Sequence, residues 1–208
     1  TESTNIPDAW VTINGNFIGA FEIPSNIPLI ELNNINDIRI SPGIKENGIS
    51  ASRKIYPFYE TYEKFEIEVN EDISITPETR FKETANCKFS SLGSFEELGD
   101  GLLEETKNSF STLTQTTNLN EVFQGEKSCK ICLDVSNNYF EVTTKEFSFF
   151  DDFPNLPNDV FLELNFKSSI NFKIGLVKNN DLNNKTEHIE IYKSNDWKKI
   201  YLNLSDLI

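Results

Sequence analysis

The chain has 208 residues and a mass of 23.8 kDa, enough for one large domain or two small ones at about 100–200 residues each. Hydrophobic residues at 38% and charged residues at 25% exclude a disordered chain, and no apolar run approaches the roughly 20 residues of a membrane-spanning helix. Nineteen Lys+Arg against 33 Asp+Glu give a formal charge of −14, which repels phosphate backbones and anionic lipid and argues against nucleic acid as a partner.

The first residues carry no initiator Met, no basic segment and no apolar segment, so the chain reads as processed or trimmed, with a targeting segment expected upstream. VTINGNFIGAFEIP then predicts a hairpin, because Asn14-Gly15 supplies the positive φ angles of a type I′ turn between two alternating strands. Pro24, Pro28 and Pro42 punctuate short extended pieces. Ile38 and Ile40 form a strand before SPGIKENGIS, whose two glycines mark a tight loop. Strands resume in YPFYETY, then in Phe65, Ile67 and Val69 alternating with Glu66 and Glu68, and then around Ile73 and Ile75. Residues 1–78 are thus expected to form a small antiparallel β-sandwich.

Beyond Thr79 a polar stretch offers short strands near Phe95, Phe110 to Leu113 and Val122 with Phe123. Longer ones come next: Leu162, Leu164 and Phe166 against Glu163, Asn165 and Lys167; Phe172, Ile174 and Leu176; Ile189 and Ile191; Ile200, Leu202 and Leu204 against Lys199, Tyr201 and Asn203. The best helical candidate, residues 96–107, is interrupted by Gly99 and Gly101. The fold class is all-β, with residues 79–208 expected as a jelly-roll β-sandwich. A jelly roll pairs its last strand with one more, so truncation there, or an edge covered by a partner, is expected.

Little in the chain suits catalysis. CKIC at 129–132 has the spacing of a redox pair or half a zinc site. On a strand, however, Cys129 and Cys132 point to opposite faces and cannot bridge. Cys129 reads as a small core residue, and Cys87 completes an odd set of three. His188, the single His, lies on the parity opposite Ile189 and Ile191 and is expected to face water, with no nucleophile elbow to accompany it. The carboxylate pairs Glu96/Glu97 and Asp151/Asp152 are adjacent, so a strand would turn each pair apart, and solvation is their default role. The protein is expected not to be an enzyme.

Two segments carry a family resemblance. VTINGNFIGAFEIP resembles the opening hairpin of PEGA-like small sandwich modules. ISPGIKENGISASRKIYPFY, residues 40–59, resembles a block of uncharacterised outer-membrane lipoproteins of Bacteroidota. DVFLELNFKSSINFKIGLV and EHIEIYKSNDWKKIYLNLSDLI resemble the carboxyl half of galactose-binding-like jelly rolls in the same lipoproteins. The resemblance implies a location outside the inner membrane, at the outer membrane or cell surface, held by a lipid anchor upstream of Thr1. It implies no activity.

Three sets of residues are candidates for binding. In YPFYETY, Tyr56, Phe58, Tyr59 and Tyr62 crowd beside Arg53, a composition enriched in protein interfaces and equally suited to packing one module on the other. The run FSFFDDFP at 147–154 sets Phe149 and Phe153 beside Asp151 and Asp152, either as a glycan shelf or as inter-sheet core. FEELGDG offers Glu96, Glu97 and Asp100 for a structural calcium ion, with no other cofactor expected. The leading expectation is a non-catalytic accessory subunit of an outer-membrane protein complex serving transport, secretion or outer-membrane protein assembly; the alternative is a carbohydrate-binding module.

Overall fold

The structure is a computed structural model, and it describes residues 4–28, 36–67, 72–83, 93–96, 103–144, 159–179 and 181–207. Among these residues there are thirteen strands, one three-residue 3₁₀ turn at Ser205–Leu207, and no α-helix. The protein is all-β and its sheets are antiparallel, the class to which β-sandwiches belong.

The amino-terminal sheet has five strands: β1 (Asp8–Ile13), β2 (Asn16–Glu22), β3 (Asn36–Lys45), β4 (Arg53–Ile55) and β5 (Tyr62–Ile67). The order is β2-β1-β3-β4, with β5 also pairing β3. The first hairpin turns at Asn14 (φ 50°) and Gly15 (φ 80°), the left-handed geometry that Asn-Gly supplies. Ala9, Val11, Ile13, Ile38 and Ile67 make the inner face, joined by Phe21, Ile27, Ile40 and Ile75.

Three details depart from the alternation. Pro42 and Gly43 do not turn: β3 runs through both to Lys45, and the chain reverses at Asn47 (φ 56°) and Gly48 (φ 70°). YPFYETY begins as a turn that precedes β5, rather than as a strand. Within β5 the register slips opposite Asn36 and Ile38, with Glu66 at φ 55°, so this bulge leaves Phe65 exposed while Ile67 is buried.

In the middle of the chain β6 (Leu103–Glu105) pairs β9 (Val142–Thr144), and β7 (Leu113–Thr116) pairs β8 (Ser128–Ile131). Val122 and Phe123, expected in a strand, lie in irregular chain, where Phe123 packs on Trp197 at 5.2 Å. Toward the carboxyl end β10 (Phe161–Ser168) pairs β13 (Ser194–Asn203), and β11 (Phe172–Val177) pairs β12 (Lys185–Ile191). One face of β10 and β13 packs Leu162, Leu164, Phe166, Ile200 and Leu202 against Phe172, Ile174, Ile189 and Ile191.

The other face of β13, polar by its pattern, is covered as well. Tyr201 and Lys199 are buried, and Tyr201 joins Ile44, Tyr56 and Tyr59 in a second core with Phe58, Phe81 and Phe161 around it. Tyr56 lies edge-on to Tyr59 at 4.8 Å and to Phe161 at 5.3 Å, arrangements that aromatic quadrupoles favour. Its hydroxyl donates to Glu163 Oε1 at 2.6 Å, and Lys199 Nζ meets Glu163 Oε2 at 2.5 Å. The backbone joins the halves too: Glu46 forms a parallel bridge with Tyr201, and Asn47 N donates to the Tyr201 carbonyl at 2.9 Å. Residues just past 78 return to the first unit, with Glu60 N donating to Arg80 O and Lys82 N to Phe58 O, both at 2.8 Å.

Removing one partner of a buried ion pair strands the other charge. Glu163→Ala is therefore expected to cost about 3–5 kcal/mol in denaturant unfolding. The triple change Tyr56→Phe, Glu163→Leu, Lys199→Met, which removes every polar end together, should recover most of that loss.

Candidate functional site

The structure redistributes the residues expected to bind a partner. Tyr56 and Tyr59 are each only 2% exposed, and Phe58 packs beside them, so they form the contact between the two halves and present no surface to another protein. The aromatic crowding has its cause in a face of β13 that needs covering. Tyr62 is half-buried at the start of β5, opposite Ile40. Arg53 alone of this set is exposed and engaged at a surface, where its guanidinium meets Asp8 Oδ1 and Glu22 Oε1, each at 3.3 Å.

The proposed glycan shelf, Phe149, Asp151, Asp152 and Phe153, lies outside the described residues, as do Glu97, Asp100 and Cys87. Glu96 is described, and its carboxylate accepts the backbone N–H groups of Glu126 at 3.1 Å and Lys127 at 3.5 Å, closing the turn before β8. Among the described residues no group of three or more His, Cys, Asp or Glu side chains converges on a point that could hold a metal.

Arg53 leads to the outer face of the amino-terminal sheet. There Asp8, Trp10 and Thr12 of β1 lie between Glu22, Ala20 and Phe17 of β2 and Gly43, Ser41 and Arg39 of β3. Asp8 is fully buried; Arg53 contacts it as an ion pair, and neither carboxylate oxygen has a hydrogen-bond partner among the described residues. Glu22 also accepts from Lys45 Nζ at 2.9 Å; that bond, the Lys45 charge and the Arg53 charge hold its carboxyl below the usual range. At the opposite end Arg39 pairs with Glu63 at 3.2 Å. The motif that could have revealed this face is the polar phase of β1, which places a Trp where a one-sided sheet would carry a hydrophilic residue.

A second surface lies in the middle of the chain. The strand that carries Cys129 stops at Ile131, and beyond it the Asp134 carboxylate takes the N–H groups of Ser136 and Asn137, both at 2.7 Å, and turns the chain. Ile131, Leu133 and Val135 are therefore exposed rather than in a core, Val135 at 95%. Phe110 N donates to Tyr139 O at 2.9 Å and Ser111 Oγ to Cys132 O at 2.5 Å, which sets Phe110 (65% exposed) and Tyr139 beside that turn.

Nearby, Glu141 Oε2 accepts from Tyr139 Oη at 2.9 Å and from Lys185 Nζ. The bond from Lys185 lowers the pKa of Glu141, while Glu141 in turn raises those of Lys185 and Tyr139. Cys129 is half-buried and its thiol is pushed up to about 11 by burial, whereas Cys132 is exposed. His188 is half-buried, where its parity implies a side chain facing water. It is the extra residue of a bulge, with Ile174 opposite Ile189 and Gly175 opposite Glu187, and its Nε2 is shielded with no hydrogen-bond partner among the described residues. Gly175 makes the bulge possible, since a Cβ there would fall 2.3 Å from the Thr186 carbonyl oxygen.

Comparison of the chain with protein-family models, with curated proteins and with solved structures finds no match.

These environments set two solution properties. In a Cys87→Ser protein at neutral pH, Cys132 should react with a thiol reagent within the mixing time. Cys129, half-buried with its thiol pushed up to about 11, should react more slowly, and equal rates would contradict its shielding. Glu22, Glu78, Glu121 and Glu141 are held below 4.5 and Asp134 below 3.8 in the fold. The unfolded chain therefore binds more protons than the folded one in this range, and the stability these groups supply is complete above about pH 5 and lost as pH falls through their folded values. A melting-temperature profile should decline below that point.

Proposed function

We propose that the chain is a non-catalytic interaction protein, an accessory subunit of a complex at the outer membrane or cell surface. The resemblance of residues 40–59 to outer-membrane lipoproteins supports the location and the anchor upstream of Thr1. The observation that carries the reading is the exposed apolar turn of the middle segment, where Phe110, Ile131, Leu133, Val135 and Tyr139 lie on adjoining backbone. Single exposed apolar residues are ordinary, but five large ones on adjoining backbone suit a contact surface for another protein.

The state of the ionisable groups supports the non-catalytic part. Lys130, Lys173 and Lys185 are raised and Glu22, Glu121 and Glu141 lowered, first of all by the hydrogen bonds that join lysine to carboxylate, while Tyr56 is raised first by burial and then by its bond to Glu163. Each shift moves its group away from the neutral range where a general acid or base works best.

The test is a mild-detergent pull-down of tagged protein from native envelope membranes, compared with a Leu133→Asp, Val135→Asp variant of unchanged melting temperature. The wild type should bring down a stoichiometric protein partner that the variant loses. Recovery of the wild type alone, or an unaffected variant, would overturn the reading.

A further inference from the structure

Lys199 brings a primary amine into the core between the two halves. It is only 9% exposed, its Nζ lies 5.3 Å from the centre of the Tyr201 ring, and Tyr56 and Tyr59 pack around that ring. Its Nζ meets Glu163 Oε2 at 2.5 Å, while the Tyr56 hydroxyl donates to Oε1, so one carboxylate oxygen is kept for the amine. An amine beside a carboxylate that can take its proton is the arrangement for nucleophilic attack on an acyl carbon. The surrounding rings hold off the water that would compete for that carbon.

The strand register supplies the acyl carbon. Asn165 of β10 pairs directly with Lys199 of β13, and Glu163 with Tyr201. The Lys199 carbonyl accepts from Asn5 Nδ2 at 3.0 Å and the Tyr201 carbonyl from Asn47 N at 2.9 Å, so the backbone of both residues points away from β10. Both pairs are therefore of the non-hydrogen-bonded kind, whose Cα atoms stand about 4.5 Å apart and whose side chains come closest. A lysine side chain is long enough to reach a carboxamide placed directly across from it. Glu163 and Asn165, two residues apart on one strand, share the face that Lys199 and Tyr201 share on the other. Asn165 is exposed at the rim of the core that shields Lys199, which leaves a route to solvent for a group departing from its carboxamide.

We infer that Lys199 and Asn165 join in an intramolecular isopeptide bond that ties β10 to β13, with Glu163 carrying the protons. Glu163 Oε2 takes a proton from the Lys199 ammonium, and the freed amine attacks Asn165 Cγ. The Nζ–Cγ bond forms and the Cγ–Nδ2 bond breaks. Two protons pass from Nζ to Nδ2 by way of Glu163, and the departing group leaves as ammonium. The products are a neutral amide, the original Glu163 carboxylate and one ammonium ion, with no oxidation or reduction. Only the folded strands bring the three groups together, so the reaction follows folding, and the Lys199–Glu163 ion pair is the state that precedes it. The bond is independent of the partner surface on the middle segment.

Intact-mass spectrometry of the purified full chain is the test. Wild-type protein should weigh about 17 Da less than its sequence, the mass of the ammonia lost, and a protease digest should contain a branched peptide joining Lys199 to Asn165. Asn165→Ala and Lys199→Met should each retain the full sequence mass, and so should Glu163→Ala. Because Glu163→Ala also weakens the fold, Asn165→Ala at its exposed position carries the comparison, with circular dichroism to show that the strands are intact. A wild type at full sequence mass would overturn the inference. So would a loss that persists in Asn165→Ala, a digest that maps the link to Asn5 or any other residue, or a bond that forms equally well in Glu163→Ala.

Discussion

Lys199 lies on a strand with both faces covered, and the fold of the whole chain depends on how its charge is accommodated. Its ammonium meets Glu163, and Glu163 in turn accepts the Tyr56 hydroxyl, so one carboxylate answers a cation from β13 and a phenol from the segment after β4. Desolvating such a pair is costly, and it is tolerable only because each polar end has a partner. The same contact requires Tyr56, Tyr59, Tyr201 and Phe161 to be close, which brings the amino-terminal sheet and the carboxyl-terminal strands into one core. Hydrophobic burial there is non-directional, whereas the Tyr56–Glu163–Lys199 chain is directional. We regard the polar chain as the feature that sets the register between the two halves, with the backbone bonds of Asn47 and Asn203 reinforcing it.

Small irregularities in the strands decide which side chains reach the surface. A bulge in β2 turns Phe17 outward beside Trp10, a bulge at Glu66 exposes Phe65, and a bulge in β12 draws His188 in. Each inserts one residue and reverses the facing of the residues beyond it, because side chains alternate with a period of two. Gly43 and Gly175 act in the same local way: each lacks the atom that would keep a ring or a neighbouring strand at ordinary distance. The exposure of Phe17 and Phe65 thus comes from departures from regular sheet, whereas that of Leu133 and Val135 comes from the turn that Asp134 closes after β8.

The large negative charge is distributed as local pairs where the fold is well packed. Glu22, Glu121 and Glu141 each hold a lysine, and the acid surplus lies elsewhere on the surface. Such exposed pairs add little to stability singly. Their consequence is local: cations and carboxylates stand side by side on the outer sheet face, while the formal charge of −14 repels anions at longer range.

The all-β class, the first hairpin and the paired faces of β10, β11, β12 and β13 were legible in the residues, since alternation and an Asn-Gly turn are local signals that need no knowledge of neighbours. The aromatic crowding of Tyr56, Phe58 and Tyr59 was legible too, but whether it served a partner or a core was not. Periodicity tells which side chains share a face; it carries no information on the groups that lie against that face. Only the tertiary structure showed that the polar side of β13 is buried beneath those tyrosines, that Trp10 rests on Gly43, and that Val135 stands in solvent. Each of these depends on contacts between residues far apart in the chain, or on a single inserted residue that shifts the alternation without altering its pattern.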